Sequence, residues 1–249
     1  MSTADSAGME RYAFEHVVSR SKGVTLWRAM DNVLGRPVAI TMIDSDESRA
    51  EALRVTARMS ATLDGRSLVR VLDVVDARGN LMVVSEWVDG RNLADTYEQR
   101  DGEPLSAPVA ARVARHIAAA LASIHAAGQA HGRLRPSSVL LTDDGEVRIR
   151  GVGIDAVLWG VSGDAVDADI HGVGSLLYAA LTARWPDGMA DGLPAAPRSG
   201  QRVLLPSQIT ADVPAFLDTI VARSVIGAGP PEARFTSMRE VADALRVAE

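Results

Sequence analysis

The chain has 249 residues, 47% hydrophobic side chains and a formal net charge of −6, enough to bury one or two sizeable cores and ordinary for a two-lobed domain. Its acidic balance excludes the concentrated basic surface that a nucleic-acid partner requires. With no cysteine and five scattered histidines, disulfides, thiolate nucleophiles and thiolate metal sites are excluded, and neither a metal nor another cofactor is expected.

No apolar run approaches the roughly 20 residues of a membrane-spanning helix, and the start MSTADSAGMERY has no signal-peptide character, so the expected location is cytoplasmic. Residues 1–10 read as a flexible N-terminus. Runs rich in Val, Ile and Leu then follow at Tyr12 to Val18, Val24 to Ala29, Pro37 to Ile43, Val69 to Val75 and Leu81 to Trp87. Each is bounded by Gly, Asn or Asp turns and is predicted to be a strand. One helix, Glu47 to Thr62, interrupts them. Ser85-Glu86-Trp87-Val88-Asp89-Gly90 has the length of a hinge.

From Leu105 the period changes. Val109, Val113, Ile117, Leu121 and Ile124 recur three or four residues apart, which predicts a helix with one buried stripe. Val139-Leu140-Leu141 and Val147-Arg148-Ile149 read as a hairpin around an Asp-Gly turn. Further helices are predicted at Asp169 to Ala183, Val213 to Val225 and Ser237 to Val247, the last opened by the capping box Ser237 and Glu240. The stretches Pro186 to Gly200 and Gly227 to Pro231 read as loops. The expectation is an α+β bilobal architecture, with a β-rich N-lobe over residues 11–90 and a helical C-lobe over 91–249.

The order of elements and the text of the chain resemble bacterial Ser/Thr protein kinases over nearly the full length. His131-Gly132-Arg133-Leu134-Arg135-Pro136-Ser137-Ser138-Val139-Leu140-Leu141 stands where that family has its catalytic loop, H-R-D-L-K-P-x-N and an apolar strand. Arg36-Pro37-Val38-Ala39-Ile40 matches the strand that carries the V-A-I-K lysine. Glu86 to Gly90 matches the hinge, Gly151-Val152-Gly153 stands for D-F-G, and Asp169-Ile170-His171-Gly172-Val173-Gly174 starts the central helix. The resemblance implies the bilobal protein-kinase fold.

Phosphoryl transfer in this family needs a phosphate-gripping lysine, metal ligands and an aspartate that takes the hydroxyl proton. The lysine position holds Thr41, and the aspartate position holds Arg133, whose guanidinium cannot accept a proton. Ser138 replaces the metal-binding asparagine, and Gly151 replaces the metal-binding aspartate. Ser19, Ser21 and Val24 fall where three loop glycines would lie, and Gly153 to Asp169 leaves only a shortened activation segment without A-P-E. The expectation is a catalytically inactive pseudokinase, not an enzyme, without useful ATP binding although Ala39 and Leu140 match the walls of the adenine pocket. Lys22, the sole lysine among 26 basic residues, and Asp155 are the groups an atypical nucleotide-using transferase would have to recruit.

Structural positions are retained. His131 and Asp169 match a structural pair of the family, Glu51 matches the helix glutamate that normally pairs with the lysine, and Arg234 matches the arginine that pairs with the A-P-E glutamate. All four are expected to be buried polar residues satisfied by hydrogen bonds.

The sequence is similar to the intracellular pseudokinase domain of the mycobacterial MviN family of peptidoglycan-precursor transport proteins. That resemblance implies the cytoplasmic part of a larger membrane protein, phosphorylated on threonine by a Ser/Thr kinase and bound there by a forkhead-associated (FHA) domain in the control of cell-wall synthesis. Thr236 is the expected phosphosite, with Thr3 and Thr62 open; Thr41 and Thr56 are expected to be too buried. A homodimer and a purely structural interaction module are compatible with the same sequence.

Overall fold

The computed structural model describes residues 11–226 and 233–246. The chain forms two compact units: the first runs to Asp89 and takes back Gly151–Val161, while the second comprises Gly90–Arg150 and the chain from Ser162 onward.

In the first unit, β1 (Tyr12–Ser21), β2 (Val24–Asp31), β3 (Arg36–Asp44), β4 (Val71–Ala77) and β5 (Asn80–Glu86) form one antiparallel sheet in the order β1-β2-β3-β5-β4. All five predicted runs are strands. The first extends past Val18 because pairing continues to Ser21 opposite Val24, closed by Lys22 and Gly23. Both have positive φ, 47° and 79°, the backbone of a two-residue hairpin turn whose twist matches the strands.

Alternation assigns the two sheet faces. Val38, Ile40, Met82 and Val84 pack with Tyr12 and Ala29 on one side, whereas Ile43, Leu81 and Val83 pack with Val24 and Val71 on the other. The second face is covered by α1 (Ala50–Ser60), which buries Ala50, Leu53, Ala57 and Ser60 along one stripe. The helix starts later than the predicted Glu47, whose carboxylate instead accepts from Arg49 Nε at 2.5 Å. A short helix absent from the sequence reading, α4 (Ile154–Leu158), adds Ile154 and Leu158 to the same core.

The β2–β3 turn is tied by Asp31, which is 1% exposed. Its carboxylate accepts from Arg11 at 2.7 and 3.0 Å and from the Val33 and Leu34 N–H groups. The Arg11 bond outweighs burial and holds its pKa at about 2.

In the second unit, β6 (Arg91–Asn92), β7 (Val139–Leu141) and β8 (Val147–Ile149) form a small sheet that contains the predicted hairpin. Its helices are α2 (Leu93–Gln99), α3 (Ala107–Ala126), α5 (Ala165–Thr182), α6 (Ala215–Val221) and α7 (Met238–Arg246). In α3 the predicted stripe is buried at Val113, Ile117, Leu121 and Ile124. The α5 helix starts four residues before the predicted Asp169, because Asp164 caps it by accepting from the Val166 and Asp167 N–H groups. From Gly172 to Thr182 every residue of α5 is buried, the mark of a central helix.

Regular α6 stops at Val221 and passes into a wider π turn over Ala222–Ile226. There α5 comes so close that a Cβ on Gly174 would lie 2.3 Å from Ser224 Cβ. Part of the predicted Pro186 to Gly200 loop is paired, as β9 (Arg198–Ser199) lies against β10 (Arg202–Val203). The Gly227 to Pro231 loop, residues 1–10 with Thr3, and Val247 lie outside the described residues. Among the described residues no helix is long and apolar enough to cross a membrane.

Candidate functional site

The loop that joins α3 to β7 is built around Asp169, which is fully buried near the start of α5. One carboxylate oxygen, Oδ1, accepts from Gly132 N at 2.7 Å, and Oδ2 accepts from His131 N at 2.9 Å and from His125 Nε2 at 2.8 Å. His131 is equally buried. Its Nδ1 accepts from Arg133 N–H at 3.3 Å, so the ring proton sits on Nε2 and is donated to the Arg150 carbonyl at 2.9 Å. The predicted structural pair is therefore present. His125, a third member, was missed because nothing in its spacing on α3 sets it apart.

Farther along the loop, Ser138 is fully buried, with its N–H on the Arg135 carbonyl and its own carbonyl on Arg150 N. Arg133 is half-buried. Leu134 packs on α5 so closely that a Cβ on Gly172 would lie 2.7 Å from Leu134 Cβ. The Arg135 guanidinium lies 5.3 Å from the Trp185 ring centroid and 4.0 Å from Asp191, which also accepts from Ser137 N at 2.9 Å. Leu140 is half-buried on β7, opposite Arg148.

In the first unit, Thr41 and Ala39 are half-buried on β3, with Thr41 opposite Leu26 and Val83. Ser19, Ser21 and Lys22 are exposed along the hairpin, while Val24 is buried. Lys22 Nζ lies 5.6 Å from the Trp159 ring centroid.

Glu51 does not conform to the expectation of a buried polar residue. Its side chain is 76% exposed and pairs with Arg54, which also binds Asp76 at 2.8 Å. The reason is helical phase: the buried stripe runs through Ala50, Leu53 and Ala57, and Glu51 lies about 100° from Ala50 around the axis. Arg234 departs likewise and is exposed.

Gly151 has a φ of +81°, and a Cβ on it would lie 2.5–2.6 Å from the carboxylate of Asp155. The carboxylate at this point of the chain thus comes from the first turn of α4. Among the described residues no group of three or more His, Asp or Glu is placed to hold a metal ion.

Thr236 is exposed immediately before the Ser237 cap of α7. Its N–H and hydroxyl donate to Glu240 at 3.1 and 2.7 Å, bonds that hold the Glu240 carboxyl below the usual range. Nearby, Arg223 lies 3.8 Å over the Phe235 ring and donates to the Ala233 carbonyl at 2.6 Å. Thr62 is also exposed, with its hydroxyl on the Met59 carbonyl at 2.7 Å. Thr41 and Thr56 are half-buried, as expected.

A family signature described as protein kinase domain matches residues 23–180, more than half of the chain. Serine/threonine-protein kinase PknL of Mycobacterium tuberculosis is 30% identical over 202 residues, covering 71% of this chain and 50% of that protein. Serine/threonine-protein kinase PksC of Streptomyces coelicolor is 27% identical over 274 residues, covering 96% and 49%. The chain spans about half the length of these curated relatives. Among solved structures, the M. tuberculosis PknI kinase domain superposes with a TM-score of 0.75 at 21% identity, over 96% of both chains. The architecture is thus the expected kinase fold, with a β-sheet N-lobe and a helical C-lobe.

The same comparison corrects the expectation that the chain is not an enzyme. The curated relatives are named as serine/threonine-protein kinases, and the solved neighbours are kinase domains. At Gly151 the space of the missing side chain is filled by the carboxylate of Asp155.

Proposed function

This chain belongs to the protein kinase domain family, and we propose that it acts in Ser/Thr-kinase signalling as a phosphorylation-dependent scaffold. A kinase phosphorylates an exposed threonine, and an FHA-domain protein then binds the phosphothreonine. The observation that carries this reading is the setting of Thr236: exposed, at the N-terminal end of α7, with its hydroxyl on the side chain of Glu240.

A phosphate adds about −1.5 to −2 charges and three acceptor oxygens. At Thr236 it displaces Glu240 by like-charge repulsion and takes up the helix N-terminal N–H groups, which favour negative charge. The freed phosphate face then offers a partner's arginines a charge-assisted, bidentate contact. In this reading, which follows the resemblance to the MviN family read from the sequence, the domain lies on the cytoplasmic side of a larger membrane protein and acts in the control of peptidoglycan synthesis. A phosphosite map after treatment with a related active kinase tests this reading; phosphate absent from Thr236 overturns the site.

A second reading, nucleotide-dependent transfer, is favoured by Asp155 in the volume of the missing Gly151 side chain and by the relatives' names. It is compatible with the scaffold role. Incubation with labelled ATP and magnesium or manganese tests it: label transferred by the wild type and lost in Asp155→Ala supports it, and no transfer rejects it.

A further inference from the structure

Arg49, just before α1, spends all three of its guanidinium nitrogens on different segments of the first unit. Nε donates to Glu47 Oε2 at 2.5 Å, one terminal nitrogen donates to the Lys22 carbonyl at 3.1 Å, and the other donates to the Leu158 carbonyl. Lys22 is the tip of the β1–β2 hairpin, and Leu158 is the last residue of α4, whose terminal carbonyls have no intrahelical donor. We propose that Arg49 is a clasp that couples the Lys22-Gly23 hairpin tip to the Gly151–Val161 segment, so that the two open together.

Three further contacts give the clasp something to hold. Ile154 and Leu158 are buried in the core shared with Leu53 and Ala57 of α1, and Ser60 Oγ donates to the Val152 carbonyl at 2.7 Å in a buried bond. At the far end Lys22 Nζ faces the Trp159 ring. Val24, at the base of the hairpin, joins the core that holds Ile154 and Leu158, whereas Ser21, Lys22 and Gly23 place no apolar side chain in it. The tip residues themselves therefore meet the segment through Arg49 and the Lys22 to Trp159 contact. The guanidinium supplies two charge-assisted bonds in a fixed fork, whereas Lys22 makes a single cation–π contact with the half-buried Trp159 ring. A ligand or partner that draws the hairpin tip away therefore also frees the segment next to Gly151.

Hydrogen exchange on the full chain tests this. In Arg49→Ala, amides of residues 154–160 and of the hairpin tip are expected to exchange about tenfold faster together, the loss expected from charge-assisted bonds. The Asp169-bound amides of His131 and Gly132 should be unchanged, showing that the second unit stays folded. Trp159→Leu, which spares the fork and keeps an apolar side chain against the core that Trp159 packs on, should change the hairpin tip by less than about threefold, as befits a single cation–π contact. Should Arg49→Ala not fold, Arg49→Lys keeps the charge without the fork and decides by the same two readouts. The proposal is overturned if removing the fork leaves either segment's exchange unchanged, or if Trp159→Leu loosens the tip as much as Arg49→Ala.

Discussion

The carboxylate of Asp155 occupies the space that a side chain on Gly151 would fill, 2.5–2.6 Å from the position of its Cβ. Gly151→Asp, the substitution that would write the family's metal-binding aspartate back into the sequence, therefore brings two carboxylates into one volume at a φ of +81°. We expect it to cost about 1–3 kcal/mol of stability, from strain at a left-handed non-glycine residue and like-charge repulsion. Urea midpoints of Gly151→Asp, Asp155→Ala and the double variant check this; the double variant should be more stable than the sum of the singles by about 0.5 kcal/mol or more.

Asp169→Ala leaves two buried backbone N–H groups, those of His131 and Gly132, without their acceptor. With each such donor costing about 1–3 kcal/mol, the variant should lose at least about 2 kcal/mol or fail to fold. Asp169→Asn keeps one carbonyl oxygen and should lose less. Denaturant unfolding of the two variants supplies the comparison.

Asp31 links acidity to the stability of the first unit. Its folded pKa, about 2, lies below the ordinary 3.8, so its contribution is complete above about pH 4 and is lost as pH falls toward 2. Asp31→Asn should cost about 1.5–3 kcal/mol at neutral pH, the worth of hydrogen bonds to a charged group. The same variant should flatten the acid limb of the melting-temperature profile between pH 4 and 2. An unchanged acid limb would show that the pairing with Arg11 is not what holds the turn.

The five strands, the α3 stripe and the 139–149 hairpin were legible in the sequence because each carries its own period or turn chemistry. So was the buried pairing of Asp169 with His131, through the motif text. The short α4 was not, since one turn of Ile154 to Leu158 has no period to detect and is held by packing on α1. Glu51 was misread because a motif match fixes position in the sequence but not helical phase. His125, Asp191 and the Arg49 clasp depend on contacts between residues 27 to 109 positions apart, which no local pattern encodes.

Glu240→Ala removes the carboxylate that binds the Thr236 hydroxyl and N–H. The N-terminal end of α7 should lose about 0.5–2 kcal/mol of capping, while Thr236 becomes a better kinase substrate because its hydroxyl is released. Initial rates of phosphate incorporation at Thr236, read by mass spectrometry in both proteins, check the second effect. A slower rate in Glu240→Ala would show that Glu240 presents the threonine instead of shielding it.

Calorimetric titration of an FHA-domain protein into kinase-treated and untreated chain, each as wild type and as Thr236→Ala, tests phosphothreonine-dependent recruitment most directly. The account predicts binding by treated wild type alone, at least about tenfold tighter than by the other three, which corresponds to about 1.4 kcal/mol. Equal binding by treated Thr236→Ala, or by untreated wild type, would contradict it.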